Sequence, residues 1–395
     1  MSASIEFFPV GSGDMTLISL ASGKTILIDI NIRQKADNEN ESDYPDVARM
    51  LRDRLERDNQ KRLYVDVFML SHPDNDHIAG LETHFHLGAP SAYKVPENED
   101  DGEKILIREM WSSPLIFRRR NKIEGALSTD AQKWRDEAKR RVKLYRDKDD
   151  KKDECGNFIR ILGDDVHHKT EGIEDLIIKE GEVLDEICRE QDSSFSAYLL
   201  SPKLVSDEEA EKLEGKNNSS VVIQFSINSR KDNGFIAKFL TGGDAEVDIW
   251  KRIWGRNEET PENLNYHLLQ TPHHCSLGSL SYDQYSDGNG KQGKGEDCEL
   301  DEDAYSALSQ ACDGAIIVAS MDVPEKKSGR GLTRRKYKAI ADNVDGAMYC
   351  TMDDSKDKPL KIIINDGGPE RDDGTIAKVE TPQKPIKGKA ERGYA

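Results

Sequence analysis

The chain has 395 residues, of which 36% are hydrophobic and 33% charged, and its formal net charge is −18 at pH 7. This length allows one large domain or two, and the acidic surplus argues against tight non-specific binding of polyanions. No apolar run is long enough to cross a bilayer and no basic-then-apolar leader opens the chain, so we expect a cytoplasmic protein without membrane association.

The six cysteines show no regular spacing and include no CxxC pair. Neither a disulfide framework nor a thiolate zinc site is therefore indicated. A reducing cytoplasm is the location that fits this cysteine usage best.

Strand and helix signals alternate through the first hundred residues. Short apolar runs separated by Gly-containing turns predict strands before residue 30, and apolar residues at helical spacing predict a helix over 45–58. The apolar run at 64–70 predicts a buried strand, and the polar stretch SHPDNDH at 71–77 follows it directly. Ligands of α/β proteins usually bind beyond the carboxyl ends of strands, so this stretch lies where a site is expected.

The remaining chain predicts further strands interrupted by polar stretches. Charged runs between about 90 and 175 predict a partly mobile insertion, and the Gly-rich acidic stretch at 285–303 predicts a second. The composition from residue 366 to 395 predicts a disordered tail. We therefore expect one α/β domain over 1–365.

The stretch at 71–77 places four residues of metal-binding types within six positions: His72, Asp74, Asp76 and His77. A rigid turn of this composition supplies several ligands at little entropic cost. The alternative is a polar turn, because Asp and Pro are common in turns. His84 and His86 follow closely, and histidines in such positions are more often ordinary core or surface residues.

Two distant segments favour the metal site. Asp244 ends the apolar run of FLTGGD, and His273 and His274 end the apolar run of NYHLLQTPHH. Three predicted strands therefore end in residues that bind metals, which a site at the edge of a sheet requires.

These motifs together resemble those of the metallo-β-lactamase-fold hydrolases. SHPDNDHIAGL is similar to the signature loop of that family, and most of all to the loop in the soluble domain of ComEC-type competence proteins. Five further stretches resemble family motifs in the same order, and they are FPVGSGD (8–14), TILIDIN (25–31), NNSSVVI (217–223), FLTGGD (239–244) and TPHHCS (271–276).

The resemblance implies a metallo-β-lactamase-like four-layer αββα sandwich with insertions. It also implies a centre of two divalent ions, zinc or manganese, with Asp244 as the bridging ligand. The other implied ligands are His72 and Asp74 for one ion and Asp76, His77 and His273 for the other.

The resemblance implies supporting roles for other residues. Asp29 and Asp14 are expected to fix the ligands, or else to cap turns. Asn217 or Asn218 stands where many relatives have a further His ligand, so we expect the ion at His72 to be held weakly.

His274 is expected to orient substrate or to donate a proton, or else to be a packed imidazole. The choice of His273 over His274 as the ligand depends on the resemblance alone.

The sequence departs from the family pattern at several positions. Cys275 replaces a Gly, the additional glycine in TGGD is expected to shift Asp244, and no His follows His274. In relatives a later His lies at the rim of the site. Three arginines are expected at that rim here, where they would bind substrate: Arg330, Arg334 and Arg335.

The function that these features predict is metal-dependent hydrolysis, as by a phosphodiesterase or nuclease. A hydroxide held between the metals would attack, with Asp76 or Asp244 orienting it. Basic stretches within 117–143 and 326–338 make DNA or another nucleic acid a candidate substrate, and the sequence leaves any protein partner unknown. The alternatives are a hydrolase of a small nucleotide or another ester, and a non-catalytic metal-binding regulatory or partner-binding module.

Overall fold

The computed structural model describes eight segments of the chain. Asn217 and Asn218 lie outside these segments, as do most of the predicted tail and of the second predicted insertion. The described residues are 2–33, 45–96, 102–118, 127–164, 170–202, 220–283, 297–324 and 328–373.

The first sheet has ten strands and draws them from both ends of the chain. The neighbouring strands between β3 (Thr25–Ile28) and β9 (Ile177–Ile178) pair in parallel. The remaining neighbouring strands of this sheet pair antiparallel. In spatial order the strands are β20 (Gly368–Arg371), β19 (Leu360–Asn365), β1 (Ala3–Phe7), β2 (Thr16–Ser19), β3 (Thr25–Ile28), β5 (Tyr64–Leu70), β7 (Ile105–Ser112), β8 (Phe158–Leu162) and β9 (Ile177–Ile178), with β6 (Phe85–His86) beside β7.

The second sheet has seven strands, and its last four run parallel to one another. In spatial order they are β10 (Val183–Leu184), β13 (Phe195–Ser201), β14 (Val222–Asn228), β15 (Ile236–Thr241), β16 (Tyr266–Gln270), β17 (Ala311–Ala319) and β18 (Ala347–Cys350). Outside both sheets, β4 (Ile30–Asn31) bridges to residues 78 and 79, and β11 (Glu186–Ile187) pairs with β12 (Glu190–Gln191).

Most helices are short, and the two longest are α5 (Thr129–Arg146) and α8 (Gly329–Asp342). Ser128 and Ser328 cap α5 and α8 by accepting hydrogen bonds from backbone N–H groups in the first turn. The helices are α1 (Val47–Arg52), α2 (Asn75–Ile78), α3 (Leu81–His84), α4 (Leu115–Arg118), α5 (Thr129–Arg146), α6 (Val247–Asn257), α7 (Glu302–Leu308), α8 (Gly329–Asp342) and α9 (Thr351–Asp354). None of those in the described segments is long and apolar enough to span a membrane.

The core consists of three hydrophobic clusters. A central cluster packs first-sheet residues such as Val67 against second-sheet residues such as Phe239. The next residues along these strands, Phe68 and Leu240, point to the opposite faces, where helices cover each sheet. Phe68, for example, contacts Trp134 of α5 with ring centroids 4.9 Å apart. The molecule is therefore a mixed α/β structure with helices on both sides, in agreement with the predicted α/β class.

The structure differs from the predicted chain organisation in two places. The supposed insertion at 90–175 contributes β7, which lies between β5 and β8, and α5, which covers the sheet. Two consecutive charged residues, Arg108 and Glu109, made this strand difficult to recognise in the sequence. Glu109 is nevertheless buried, and it accepts a hydrogen bond from the Cys188 N–H. The predicted tail likewise begins with an ordered strand, because β20 pairs with β19.

Candidate metal centre

Three strand ends of the two sheets meet at one edge of the molecule. β5 ends at Leu70, whereas the parallel neighbours β15 and β16 end at Thr241 and Gln270. The Val221 N–H donates to the Ser71 carbonyl oxygen at 3.1 Å, which joins the sheets at this edge. The loops that follow carry His72, Asp244 and His274, and the structure brings these residues together at this edge.

Asp244 lies at the middle of this centre, and its Oδ1 atom faces two imidazoles. Oδ1 is 3.0 Å from His77 Nε2 and 3.2 Å from His274 Nε2. Asp14 completes a buried group of four residues whose ligand atoms lie within 4.8 Å of one another. We call Asp14, His77, His274 and the Oδ1 side of Asp244 the Oδ1 cluster. This cluster can hold a metal ion.

The Oδ2 atom of Asp244 faces two other imidazoles at longer distances. It is 3.7 Å from His72 Nε2 and 3.6 Å from His273 Nε2. Asp74 Oδ2 is 3.9 Å from His72 Nε2. We call His72, Asp74, His273 and the Oδ2 side of Asp244 the Oδ2 cluster.

Several buried polar atoms of the centre make no hydrogen bond of normal geometry to the described residues. They include Asp14 Oδ1, His72 Nε2, Asp244 Oδ1 and His274 Nδ1. A buried polar atom without a partner destabilises the folded state by about 1–3 kcal/mol. Imidazole nitrogens and carboxylate oxygens are ligands that zinc and manganese accept, so these residues fit a divalent ion.

Asp29 fixes the start of the signature loop. Its Oδ1 accepts from the Ser71 N–H at 2.7 Å, and its Oδ2 accepts from Ser71 Oγ at 2.5 Å. Oδ2 also lies 2.8 Å from His77 Nδ1, which turns Nε2 of the same ring toward Asp244. These are the contacts expected of Asp29, and contacts of this kind orient metal-binding histidines.

The electrostatics of the two clusters differ. Burial lowers the pKa of His77, but the charges of Asp244 and Asp29 outweigh it and raise this pKa well above its usual value. Burial also lowers the pKa of His274, but the charges of Asp14 and Asp244 outweigh this effect and raise the pKa to about 9. Burial and the neighbouring His77 lower the pKa of His72. The raised pKa values of His77 and His274 favour bound protons in the Oδ1 cluster at neutral pH when no metal is bound, and a metal ion would displace them.

Asp76 lies at the exposed side of the Oδ1 cluster. Its Oδ2 is 3.4 Å from His274 Nε2, and its side chain is 42% exposed. Burial raises its pKa, but His274 and His77 outweigh this effect and hold the pKa well below its usual value. Asp76 therefore carries a negative charge that faces both His274 and solvent.

The turn after β16 distributes its two histidines between the clusters. His273, His274 and Cys275 all have positive φ, at 51°, 49° and 62°. This conformation costs a non-glycine residue about 1–2 kcal/mol, so glycine would be less strained than Cys275 at this position. The resemblance had grouped His273 with His77, but the structure groups His274 with His77 and His273 with His72. The observed grouping of the histidines therefore differs from the ligand sets that the resemblance implies.

Gly243 allows the loop after β15 to approach the signature loop. Its φ is +48°, and a Cβ atom there would lie 2.6 Å from Ser71 Oγ. The Gly243 carbonyl oxygen also accepts from the His273 N–H at 2.9 Å. The additional glycine therefore does not displace Asp244 from the centre.

The three predicted rim arginines occupy different places. Arg330 donates to Ser12 Oγ at 2.6 Å, on the loop that carries Asp14. Arg334 pairs with Asp353 at 2.9 Å, and Arg335 is exposed on α8. Arg330 is therefore connected to the centre through Ser12, on the loop that carries Asp14.

Other candidates from the sequence have structural contacts elsewhere. His84 Nδ1 lies 2.9 Å from an Arg52 nitrogen, and burial with this cation lowers the His84 pKa to about 4. His86 Nε2 lies 3.0 Å from the Ala89 carbonyl oxygen.

Sequence reasoning missed Glu246, whose Oε1 lies 3.6 Å from His273 Nδ1. Its position two residues after Asp244 was the available signal.

The basic stretch on α5 lies away from the centre. Arg141 is buried, pairs with Glu137 and donates to the carbonyl oxygens of Ile107 and Phe158 near the starts of β7 and β8. Arg140 also pairs with Glu137. These two arginines therefore share the Glu137 carboxylate at the edge of the sheet opposite the metal centre, while residues 119–126 lie outside the described segments.

Comparison of the chain with protein-family models gives no match, and no curated protein matches it either. The functional assignment therefore depends on the geometry of the centre.

Proposed function

We propose that the protein is a metal-dependent phosphodiesterase on a metallo-β-lactamase-like four-layer αββα sandwich. The observation that carries the proposal is the carboxylate of Asp244, whose two oxygens each face a separate pair of imidazoles. A bridging carboxylate between two sets of ligands is the arrangement that a two-metal hydrolase needs.

The fold and the order of the motifs support this proposal. Two sheets share a central core, helices cover their outer faces, and the centre lies beyond the carboxyl ends of β5, β15 and β16. Ligand sites of α/β proteins favour such positions. The motifs also follow one another along the chain as in the family that they resemble.

The residues present fit two zinc or manganese ions. The Oδ1 cluster would hold one ion and the Oδ2 cluster the other, with Asp244 between them. When bound, a pair of ions lowers the pKa of water and stabilises the attacking and leaving oxygens of a phosphoryl group.

The protein's own residues would position the reaction. Asp29 keeps His77 in one orientation, and Asp76 presents a charged carboxylate beside His274 at the exposed side. Asp76 is thus placed to orient water or to accept a proton. Arg330 has five N–H donors, of which the contact with Ser12 engages one, so it can also bind an anionic phosphoryl oxygen.

The charge distribution favours a small phosphodiester over long nucleic acid. Arg140 and Arg141 of α5 both pair with Glu137 at the opposite edge of the sheet, and the protein carries a net charge of −18. Long nucleic acids need a continuous basic path for their phosphates. A dinucleotide or another small diester needs only the centre and a cation such as Arg330.

The test is hydrolysis of bis(p-nitrophenyl) phosphate, a dinucleotide, single-stranded DNA and duplex DNA with manganese or zinc. Asp244→Asn should abolish turnover, whereas Asp313→Asn, an exposed carboxylate at the start of β17, should retain it. Turnover of the wild type no greater than that of Asp244→Asn on all four substrates would refute the proposal. Stoichiometric metal binding without turnover would indicate the non-catalytic regulatory module instead, and faster cleavage of long DNA would indicate a nuclease.

A further inference from the structure

Gln270 is a buried polar residue at the carboxyl end of β16, and the proposed mechanism gives it no role. Its Oε1 atom accepts hydrogen bonds from Thr16 Oγ1 at 3.1 Å and from Thr241 Oγ1 at 3.3 Å. Both threonines are buried as well. One side-chain oxygen therefore connects β16 to β2 of the first sheet and to β15 of the second.

The three polar side chains lie on the strand faces that form the central hydrophobic cluster. Side chains along a strand alternate between its two faces, so Gln270 shares a face with Leu268. Thr241 shares a face with Phe239, and the threonine of β2 shares one with Ile18. Polar groups destabilise such a layer unless they are hydrogen-bonded, and aliphatic side chains would fill it without that requirement. Packing alone therefore does not explain this group of three.

Each of the three connected strands is adjacent to a residue of the Oδ1 cluster. Asp14 lies two residues before the threonine that begins β2. Asp244 lies three residues after the threonine that ends β15, and His274 lies four residues after Gln270. The Gln270 side chain therefore joins the strand ends that carry three of the four residues of this cluster.

Backbone contacts connect the loops that leave these strand ends. The Asp14 N–H donates to the Asp76 carbonyl oxygen at 3.2 Å, which links the loop before β2 to the signature loop. The His273 N–H donates to the Gly243 carbonyl oxygen at 2.9 Å, which links the loops after β16 and β15. The positions of the ligand residues therefore depend on how the strand ends are aligned.

We propose that Gln270 is a positioning residue of the metal centre, which aligns the ends of β2, β15 and β16 and so holds Asp14, Asp244 and His274 at the spacing that a metal ion requires. The inference rests on the proposed metal-dependent function. Gln270 acts through the two threonine hydroxyls and the strands that carry them. Residues that support ligands in this way contribute about 10–100-fold to metal affinity.

Gln224 provides a matched control. It is a buried glutamine of β14 that also makes two hydrogen bonds, from its Nε2 atom to the carbonyl oxygens of Asn263 and Asn265. These acceptors precede β16, at the opposite end of that strand from the metal centre. Gln224→Leu therefore removes the same type of side chain and as many hydrogen bonds as Gln270→Leu, away from the ligand loops.

The first test is isothermal titration of the full-length protein with zinc. Gln270→Leu should bind zinc at least about tenfold more weakly than the wild type, whereas Gln224→Leu should retain the wild-type affinity. Thermal unfolding of both variants measures any loss of stability, which a purely structural role would produce in both. Wild-type zinc affinity of Gln270→Leu, or equal losses of affinity in the two variants, would overturn the proposal.

The threonines separate the two hydrogen bonds. Thr16→Val and Thr241→Val each remove one donor with little change of shape, so each should weaken zinc binding. Neither should weaken it further when combined with Gln270→Leu, because both hydroxyls act through the same acceptor. Additive losses in the combined variants would contradict the proposed role.

Hydrogen exchange of the protein in a chelator needs no metal and therefore tests the alignment of the loops by itself. Peptides that cover 10–16, 239–245 and 268–276 should exchange faster in Gln270→Leu than in the wild type, and at the wild-type rate in Gln224→Leu. Unchanged exchange in Gln270→Leu, with zinc binding by the wild type, would overturn the role of Gln270 alone. Failure of the wild type to bind zinc would overturn the proposed function as well.

Discussion

The two sides of Asp244 carry similar residue types but differ in how tightly they are arranged. On the Oδ1 side, two imidazole nitrogens lie 3.0 and 3.2 Å from the carboxylate, and both rings are buried. On the Oδ2 side the corresponding distances are 3.7 and 3.6 Å, and the His273 side chain is 25% exposed. One carboxylate therefore joins a compact buried cluster to a looser one.

The difference follows from the residues that support each cluster. Asp29 holds the His77 ring at 2.8 Å and is itself fixed by two hydrogen bonds from Ser71. Glu246 lies 3.6 Å from the His273 ring and is partly exposed. A fixed imidazole loses less entropy when it binds a metal, so we expect the Oδ1 cluster to bind its ion more tightly.

The largest expected effect comes from removing one histidine of each cluster. His77→Ala should weaken binding of the tighter ion by more than about 100-fold, since even the loss of a supporting residue costs 10–100-fold. His273→Ala should leave one tightly bound ion per chain. Metal titration of both variants followed by elemental analysis measures this. Equal loss of both ions in the two variants would show that the clusters are not separate.

The pH dependence of the metal-free protein should report the Oδ1 cluster. The pKa of His274 is raised to about 9, so its stabilising charge is fully present below its usual pKa near 6.5 and is lost as pH rises through 9. The expected loss in the free energy of unfolding is about 3 kcal/mol, with His77 acting in the same direction.

The measurement is the urea midpoint between pH 6.5 and 9 with a chelator and, as the control, with bound zinc. Zinc requires neutral imidazoles, so the metal-bound protein should not show this decline. His72 contributes nothing in this interval, because its pKa is lowered and it is already neutral. A constant midpoint in chelator would contradict the protonated Oδ1 cluster.

The supporting carboxylates provide a matched pair of substitutions. Asp29→Asn should weaken metal binding by about 10–100-fold, because the amide no longer holds Ser71 and His77 as the carboxylate does. Glu246→Gln should have a smaller effect, confined to the weaker ion. Isothermal titration with zinc compares the two variants. A greater loss in Glu246→Gln would reverse the order of the clusters that we infer.

The smallest expected effect concerns the close approach of the loop after β15 to the signature loop. Gly243→Ala should destabilise the protein by about 1–2 kcal/mol through its positive φ, with a further cost from the contact with Ser71. Gly278→Ala is the control, since its added Cβ meets only ordinary contacts of 3.7 Å or more. Thermal unfolding distinguishes them. Similar melting temperatures for the two variants would show that the loops approach less closely.

Local sequence patterns were enough to find most strands near the centre. The apolar run at 64–70 coincides with β5, and the apolar run of FLTGGD coincides with the end of β15. Buried strands with turn residues at their ends give strong local signals. β7 was missed because its buried Glu109 is satisfied by Cys188, a partner that is distant along the chain.

The sequence by itself determined which residue types stand at the ends of β5, β15 and β16, and so the kind of chemistry that this edge can support. Only the tertiary structure decided which histidine faces which oxygen of Asp244. Three consecutive residues with positive φ set the directions of His273 and His274, and local propensity disfavours such a conformation.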